Sequence, residues 1–155
     1  MAALLSRIPL GRETCLAENP WIITGTGFPS GGLQLTVQYN SGSKSSHQHL
    51  AKIGPFLREA LGCPDLFPGS LNLFASQAIE LPEPRRVECR GEQWLFVPVV
   101  IAEKAVGLVA RRPPPISTDI IEVFACRQLA PVLGLKYGDQ VKIRLLSGSY
   151  VALAA

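Results

Sequence analysis

The sequence predicts a mainly β protein built as one small, closed or nearly closed barrel. Short runs rich in β-branched and aromatic residues recur at close spacing along the 155 residues. The chain has 13 prolines and 14 glycines, which end those runs often and leave little room for long helices. Because hydrophobic residues make up 47% of the chain, the strands can close around a substantial core.

The first elements are expected on either side of a Gly-rich turn. We interpret residues 1–20 as an irregular N-terminal arm and residues 21–155 as the barrel domain. Residues 21–24 (WIIT) are typical of a strand, and residues 25–32 form the Gly-rich turn that follows it. Apolar and polar residues alternate over 33–39, which predicts a half-buried strand.

A helix is expected after a Ser/Gly loop at residues 40–46. Apolar side chains recur at helical spacing from about His49 to Leu61, and Gly62 is the expected C-terminal stop. Pro55 removes one backbone hydrogen bond, so we expect the first turns of this helix to be irregular.

The second half of the chain alternates further strands with turns. A hairpin is expected about Gly91, and Gly134 should end a short helix over 127–133. The strands that this part of the chain predicts cover residues 87–90, 93–101, 105–110, 119–125, 141–145 and 150–153.

The hexapeptide at 68–73 (PGSLNL) has the most informative spacing in the chain. A short strand is expected to begin after Gly69, so Ser70 and Asn72 should lie on one face of it. Leu71 and Leu73, on the opposite face, should anchor the strand in a core. A hydroxyl and a carboxamide oxygen on one face can share a hard cation, although local hydrogen bonding of Ser and Asn near turns is the commoner role.

Charge and cysteine content exclude several classes of protein. The net charge is only +3, and no run of Lys or Arg exceeds two residues, which argues against nucleic acid and is compatible with a small anionic ligand. No apolar run is long enough to span a membrane. The four cysteines lack the spacing of a zinc site, so we expect reduced, mostly buried thiols in a cytoplasmic protein.

Several titratable residues have two interpretations on sequence alone. Glu122 lies among apolar neighbours and is either a candidate general base or a strand residue that faces water. Arg111 and Arg112 either bind phosphate or are solvated charges of a loop. His47 and His49 form an H-x-H pattern that can bind a metal, but surface histidines of a flexible loop are the simpler interpretation.

Taken in order, these segments resemble the archaeal-type CTP-dependent riboflavin kinases, a family of small six-stranded cradle-loop barrels of the RIFT-like type. The resemblance extends over about residues 21–145. It rests on TGTG at 24–27, PGSLNL at 68–73, IIEV at 120–123 and LGLKYGDQVKI at 133–143. The second of these motifs is the most specific, because the last is shared by other barrels of this type.

The resemblance implies an enzyme that moves the γ-phosphoryl group of CTP to the 5′-hydroxyl of riboflavin, giving CDP and FMN. It implies Mg²⁺ held by Ser70 and Asn72, with Glu122 at the flavin end to orient the attacking hydroxyl or accept its proton. Ser117 or Thr118 would replace a family threonine that meets the flavin phosphate. The residues expected at the nucleotide are Gly25, Thr26, Gly27, Phe28, Ser30, Gly31, Arg127, Gln128, Leu129 and Ala130.

Two other functions stay open at this stage. Prolines at 113–115 lie where the family has its flavin threonine, which favours a non-catalytic barrel that holds a flavin or a nucleotide. A nucleic-acid-binding barrel regulator would need a strongly basic face, and the chain offers only scattered Lys and Arg. Residues 40–47 look like an insertion relative to the family, and we expect a monomer.

Overall fold

The computed structural model describes residues 31–42, 46–113 and 118–151. The N-terminal arm and the strand expected at 21–24 lie outside these ranges. Within them the chain forms seven strands and two helices, namely β1 (Leu33–Tyr39), α1 (Ser46–Leu61), β2 (Leu71–Ile79), β3 (Arg85–Cys89), β4 (Glu92–Ile101), β5 (Ala105–Arg111), β6 (Thr118–Phe124), α2 (Leu129–Leu133) and β7 (Gln140–Leu145).

Six of the strands close into an antiparallel barrel, as the sequence predicts. Their order is β4-β5-β6-β2-β1-β7, and β7 closes the barrel by pairing back onto β4 over residues 99–101. The remaining strand, β3, extends the sheet outside β4 as one arm of a hairpin. Among the described strands, closure leaves only the short β3 at an edge, which limits unpaired backbone groups.

One face of each strand fills the barrel interior. Strand β2 shows the rule, because Leu71 and Leu73 are buried and Asn72 between them is only partly so. Across the β2–β6 pair, Ile121 and Val123 lie directly opposite these leucines. The interior cluster also takes members from β1, β4, β5 and β7, including Val37, Val97, Val99, Val109, Val141, Ile143 and Leu145.

Helix α1 packs on the outside of the barrel. Its buried face, with Ile53 and Leu57 fully buried, covers the outer side chains of β4, β5 and β6. The rings of Phe56 and Phe96 lie 4.5 Å apart in this second core, and Phe124 is buried with them. The helix therefore shields this part of the outer face of the barrel from solvent.

The ends of α1 differ in how well the sequence predicts them. The helix begins at Ser46, earlier than expected, and it runs through Pro55 as one element. Its C-terminus is as predicted, because Gly62 has φ +68° and the next N–H, of Cys63, donates back to the Arg58 carbonyl at 3.1 Å.

The predicted hairpin about Gly91 and the predicted strand at 150–153 have different outcomes. The β3–β4 hairpin is confirmed, with Arg90 and Gly91 both at positive φ, 50° and 81°, as a two-residue hairpin turn requires. The strand expected at 150–153 is wrong over its first residues, because Gly148–Tyr150 forms a 3₁₀ turn instead. Gly148 lies against the backbone of Pro84, where a side chain would not fit.

The expectation of reduced thiols is wrong for two cysteines. Cys63 and Cys126 form a disulfide with Cα atoms 5.9 Å apart, and Cys89 is a free, buried thiol. The bond joins the chain after α1 to the chain after β6. Since the two positions are 63 residues apart, no local spacing could have indicated the pair.

Candidate functional site

The pairing of β2 with β6 brings the predicted metal ligands to the predicted base. Asn72 and Glu122 are direct cross-strand partners, so their side chains lie side by side on the outer face of the barrel. The next outward-facing pair along the two strands is Phe74 and Ile120, which is apolar. Ser70 lies just before β2 on the same side as Asn72.

Hydrogen bonds join the three polar side chains into one cluster. The Ser70 hydroxyl donates to Glu122 Oε2 at 2.9 Å, and Asn72 Nδ2 lies 3.5 Å from Ser70 Oγ. All three residues are part-buried, whereas Leu71 and Leu73 belong to the barrel core. The predicted alternation of β2 is confirmed, and Glu122 of the neighbouring strand β6 adds a carboxylate to its polar face as a third oxygen ligand.

Two cavities lie on either side of this cluster and share Asn72 and Glu122 as a common wall. The first, which we call the Gln128 cavity, has a volume of about 240 Å³ and also contacts Ser70. The second, which we call the Ile120 cavity, has a volume of about 420 Å³ and also contacts Phe74 and His49. The Gln128 cavity is lined in addition by Tyr39, Asn40, Ser46, Phe67, Gly69 and Tyr137.

The loop after β1 forms part of the wall of both cavities. Ser41 and Gly42 line the two of them, and the Asn40 N–H donates to the Asn72 carbonyl at 3.2 Å. A Cβ on Gly42 would overlap the Asn72 carboxamide, so only glycine allows the loop to approach so closely. Sequence reasoning treated 40–47 as an insertion and missed these residues, although a Ser/Gly stretch directly after a strand was a usable signal.

Some of the predicted nucleotide residues line the cavities, one lies far from them, and the rest lie outside the described residues. Gln128 lines its cavity, and Arg127, Leu129 and Ala130 line an adjoining pocket of about 40 Å³ that also contacts Ser70. Leu129 is buried with the barrel core, so its side chain is structural.

Gly31 does not reach the site. It precedes the start of β1, whose other end carries Tyr39, about 20 Å away at the usual rise per residue. The Gly31 carbonyl accepts instead from the Arg144 guanidinium at 2.6 Å. The other members of the expected loop, Gly25 to Phe28 and Ser30, lie outside the described residues.

Of the two expected flavin residues, the structure describes only Thr118, and it does not place Thr118 at the Ile120 cavity. Thr118 shares the outer face of β6 with Ile120 and Glu122, but its hydroxyl accepts from the Ile120 N–H at 3.3 Å and it does not line the Ile120 cavity. Ser117 lies outside the described residues.

His49 is the main functional candidate that sequence reasoning misplaced. The segment that carries it is the first turn of α1, not a flexible loop. Its Nδ1 lies 3.0 Å from Glu122 Oε1, and its ring meets Trp94 edge-on with centroids 5.2 Å apart. His47 is exposed on the same turn.

Arg111 is not a solvated loop charge, whereas Arg112 is exposed just after the end of β5. Arg111 is buried on β5 and donates to the carbonyls of Ile79 (2.7 Å) and Ile120 (3.3 Å), where the pairing of β2 and β6 is irregular. Burial lowers the pKa of Arg111. Arg112 pairs with Glu92 at 3.2 Å. Arg111 therefore acts as a structural donor at the irregularity and not as a phosphate ligand.

The side chains of the cluster suit a hard cation. Ser70, Asn72 and Glu122 offer hydroxyl, amide and carboxylate oxygens, which are the donors that Mg²⁺ takes, once the Asn72 amide turns its oxygen towards Ser70. Over residues 31–42, 46–113 and 118–151 there is no group of three or more His, Cys, Asp or Glu that could hold a metal by itself. A cation at this cluster would need further oxygen ligands from a bound phosphate or from water.

Comparison with protein families and with curated proteins identifies no relative of this chain. The chain matches no protein-family model and no curated protein. In the part of the chain that the structure describes, neither helix has the length and apolar character needed to cross a membrane.

Proposed function

We propose that this protein is a magnesium-dependent phosphotransferase that moves the γ-phosphoryl group of CTP to the 5′-hydroxyl of riboflavin. One observation carries the proposal. The wall shared by two neighbouring cavities includes Asn72 and Glu122, and Ser70 donates a hydrogen bond to the same Glu122 carboxylate. A transfer between two substrates needs two adjacent sites with charge-stabilising groups where they meet.

The Gln128 cavity suits the nucleotide. It holds Ser70 and Asn72, the two neutral oxygen ligands of the proposed cation. Tyr39 and Tyr137 lie at the same cavity with ring centroids 5.1 Å apart, and Tyr137 is 66% exposed, so a pyrimidine ring has an aromatic surface to contact. Burial and the neighbouring Tyr137 raise the pKa of Tyr39.

The Ile120 cavity suits the acceptor. Phe74 and Ile120 form an apolar floor, and Ile120 is 45% exposed despite its position in a strand of the barrel. A flat aromatic ring such as isoalloxazine would cover that surface. His49, Asn72 and Glu122 form the polar end of the cavity, where the ribityl hydroxyl would be held.

The reaction follows from this division. The ribityl oxygen forms a bond to the γ-phosphorus while the bond from that phosphorus to the β,γ-bridging oxygen breaks, and Glu122 orients the hydroxyl and accepts its proton. Magnesium, when bound, would neutralise charge on the phosphates. Ser70 and Asn72 would hold it and, with Glu122, align the two substrates.

The experiment is an assay of the purified chain with riboflavin, Mg²⁺ and each of CTP, ATP, GTP and UTP in turn. The proposal predicts FMN and a nucleoside diphosphate in equal amounts, with CTP the best donor and no product in EDTA. Glu122→Gln should lower kcat by about 100-fold or more, since general base catalysis commonly contributes that much. Failure to form FMN from any triphosphate would end the kinase proposal.

A non-catalytic flavin-binding barrel is the second candidate, and one observation favours it. Thr118, which would meet the flavin phosphate, bonds to the backbone of its own strand and stays out of the Ile120 cavity. This alternative predicts quenching of flavin fluorescence on binding without any turnover, which the same samples would report.

A further inference from the structure

The buried stripe of α1 begins with a polar residue. His49, Ile53, Leu57 and Leu61 follow one another at intervals of four, so they lie along one side of the helix. The last three are fully or almost fully buried against the barrel. An apolar side chain would continue the stripe at position 49, and the histidine there therefore calls for a reason other than packing.

The surroundings of His49 hold its ring in one orientation. Its side chain is 26% exposed, and its ring meets the buried Trp94 of β4 at an interplanar angle of 68°. With the ring fixed in this way, Nδ1 points at Glu122 Oε1, 3.0 Å away, while the Glu122 side chain is itself only 14% exposed. The contact joins the first turn of the helix to the middle of β6.

The carboxylate of Glu122 is consequently held at both oxygens. Ser70 donates to Oε2 from the β2 side, and His49 meets Oε1 from the α1 side. The carboxylate lies between the other two groups, so this is not the nucleophile–histidine–acid order of a hydrolase triad. Since an ionised carboxylate accepts at about four lone-pair positions, two partners leave room for an acceptor hydroxyl.

We propose that His49 is the positioning residue of the site: it donates from Nδ1 to Glu122 and fixes the carboxylate at the wall of the Ile120 cavity, where the acceptor hydroxyl binds. This inference rests on the proposed phosphotransfer. It gives α1 a role in the reaction, because the helix carries the side chain that orients the proposed base, Glu122. Without that donor the Glu122 side chain would be held from the Ser70 side alone.

Three variants separate positioning from packing. His49→Leu completes the apolar stripe and removes the donor, so we expect an unchanged or higher melting temperature with kcat lower by about 10- to 100-fold and the KM for CTP unchanged. His49→Asn restores an N–H near the position of Nδ1 and should recover kcat to within about fivefold of wild type. His47→Leu, on the exposed side of the same turn, should change none of these quantities.

A second readout needs no turnover. In the ¹⁵N NMR spectrum of the full chain, Glu122→Gln should shift the His49 Nδ1 resonance and leave that of His47 unchanged. An unmoved His49 resonance, a His49→Leu variant with wild-type kcat, or a His49→Asn variant as slow as His49→Leu would each overturn the inference. If the wild type forms FMN, any of these three results overturns the His49 inference and leaves the kinase proposal intact. A wild type that forms no FMN overturns both the kinase proposal and the His49 inference.

Discussion

The β2–β6 face and a larger groove on the β1–β7 side show that cavity size and chemistry are separate matters. The groove, which we call the Arg144 groove, has a volume of about 740 Å³, larger than either cavity at Glu122. Two of its three charged lining residues pair with each other, because Arg144 binds Glu103 through two hydrogen bonds of 2.6 and 3.0 Å and also donates to the Gly31 carbonyl, while Lys142 is the third.

The smaller cavities have the opposite character. Ser70, Asn72, Glu122 and His49 come from three separate segments and converge on one carboxylate that still has free acceptor positions. Convergent polar groups that retain capacity for a ligand indicate a functional site better than open volume does. The following experiments, in order of expected effect, test whether this contrast is correct.

A comparison of the Asn72→Ala and Gln34→Ala variants is the strongest test of whether the small cavities or the Arg144 groove form the active site. Asn72 belongs to the wall between the two small cavities, whereas Gln34 lines the Arg144 groove. Loss of a cation ligand should lower the magnesium-dependent kcat by more than about 100-fold, while the Gln34 variant keeps wild-type rates. Steady-state FMN formation measures both, and the opposite pattern would move the active site to the groove.

Cys63→Ser tests the disulfide that links segments of the site region. The disulfide joins the end of α1 to Cys126, which directly precedes Arg127 and Gln128. Its loss should reduce the free energy of unfolding by about 2–4 kcal/mol, measured by urea denaturation. Cys89→Ala is the control for removing a thiol, and dithiothreitol should destabilise the wild type but not the Cys63 variant.

Gly42→Ala tests the close approach of the β1 loop to the cluster. The added Cβ would overlap the Asn72 carboxamide, so the loop or the amide has to move. We expect about a tenfold rise in the KM for both substrates, because Gly42 lines both cavities, without loss of the fold. Gly54→Ala is the matched control, since its Cβ meets only the flexible end of Arg58. Wild-type KM values in Gly42→Ala would remove the loop from the site.

Glu103→Gln tests the Arg144 groove and should have the smallest effect. The hydrogen bond from Arg144 lowers the pKa of Glu103, so this carboxylate stabilises the fold above its ordinary pKa of 4.5, and the contribution is lost as pH falls through the lowered pKa. The Glu103 side chain is 63% exposed, so the variant should lose only about 0.5–1 kcal/mol at pH 7. Denaturation at pH 7 and at acid pH should show the difference disappearing, with FMN formation unchanged at pH 7.

Much of the fold follows from local sequence. The alternation in PGSLNL places Leu71 inside and Asn72 outside, and the glycines at 62 and 91 end a helix and turn a hairpin as expected. These features depend on neighbours a few residues apart, whose side-chain directions the backbone fixes. The same is true of the many short strands that close into the barrel.

The site depended on contacts that no local pattern encodes. Asn72 lies beside Glu122 because of strand register, and His49 reaches Glu122 across 73 residues of sequence. The resemblance named Ser70, Asn72 and Glu122, which the structure brings together, but it placed Gly31 at the site and left out Gly42, because either Gly-rich segment can follow a strand.

The sequence by itself determined the apolar periodicity of the strands and helices, and so it determined a small β-barrel with one or two short helices. Tertiary structure decided which polar groups meet on that outer surface. The reason is physical: burial of the leucines is set by a period of two or of 3.6 residues, whereas the convergence of Ser70, Glu122 and His49 is set by how strands pair and where the helix docks.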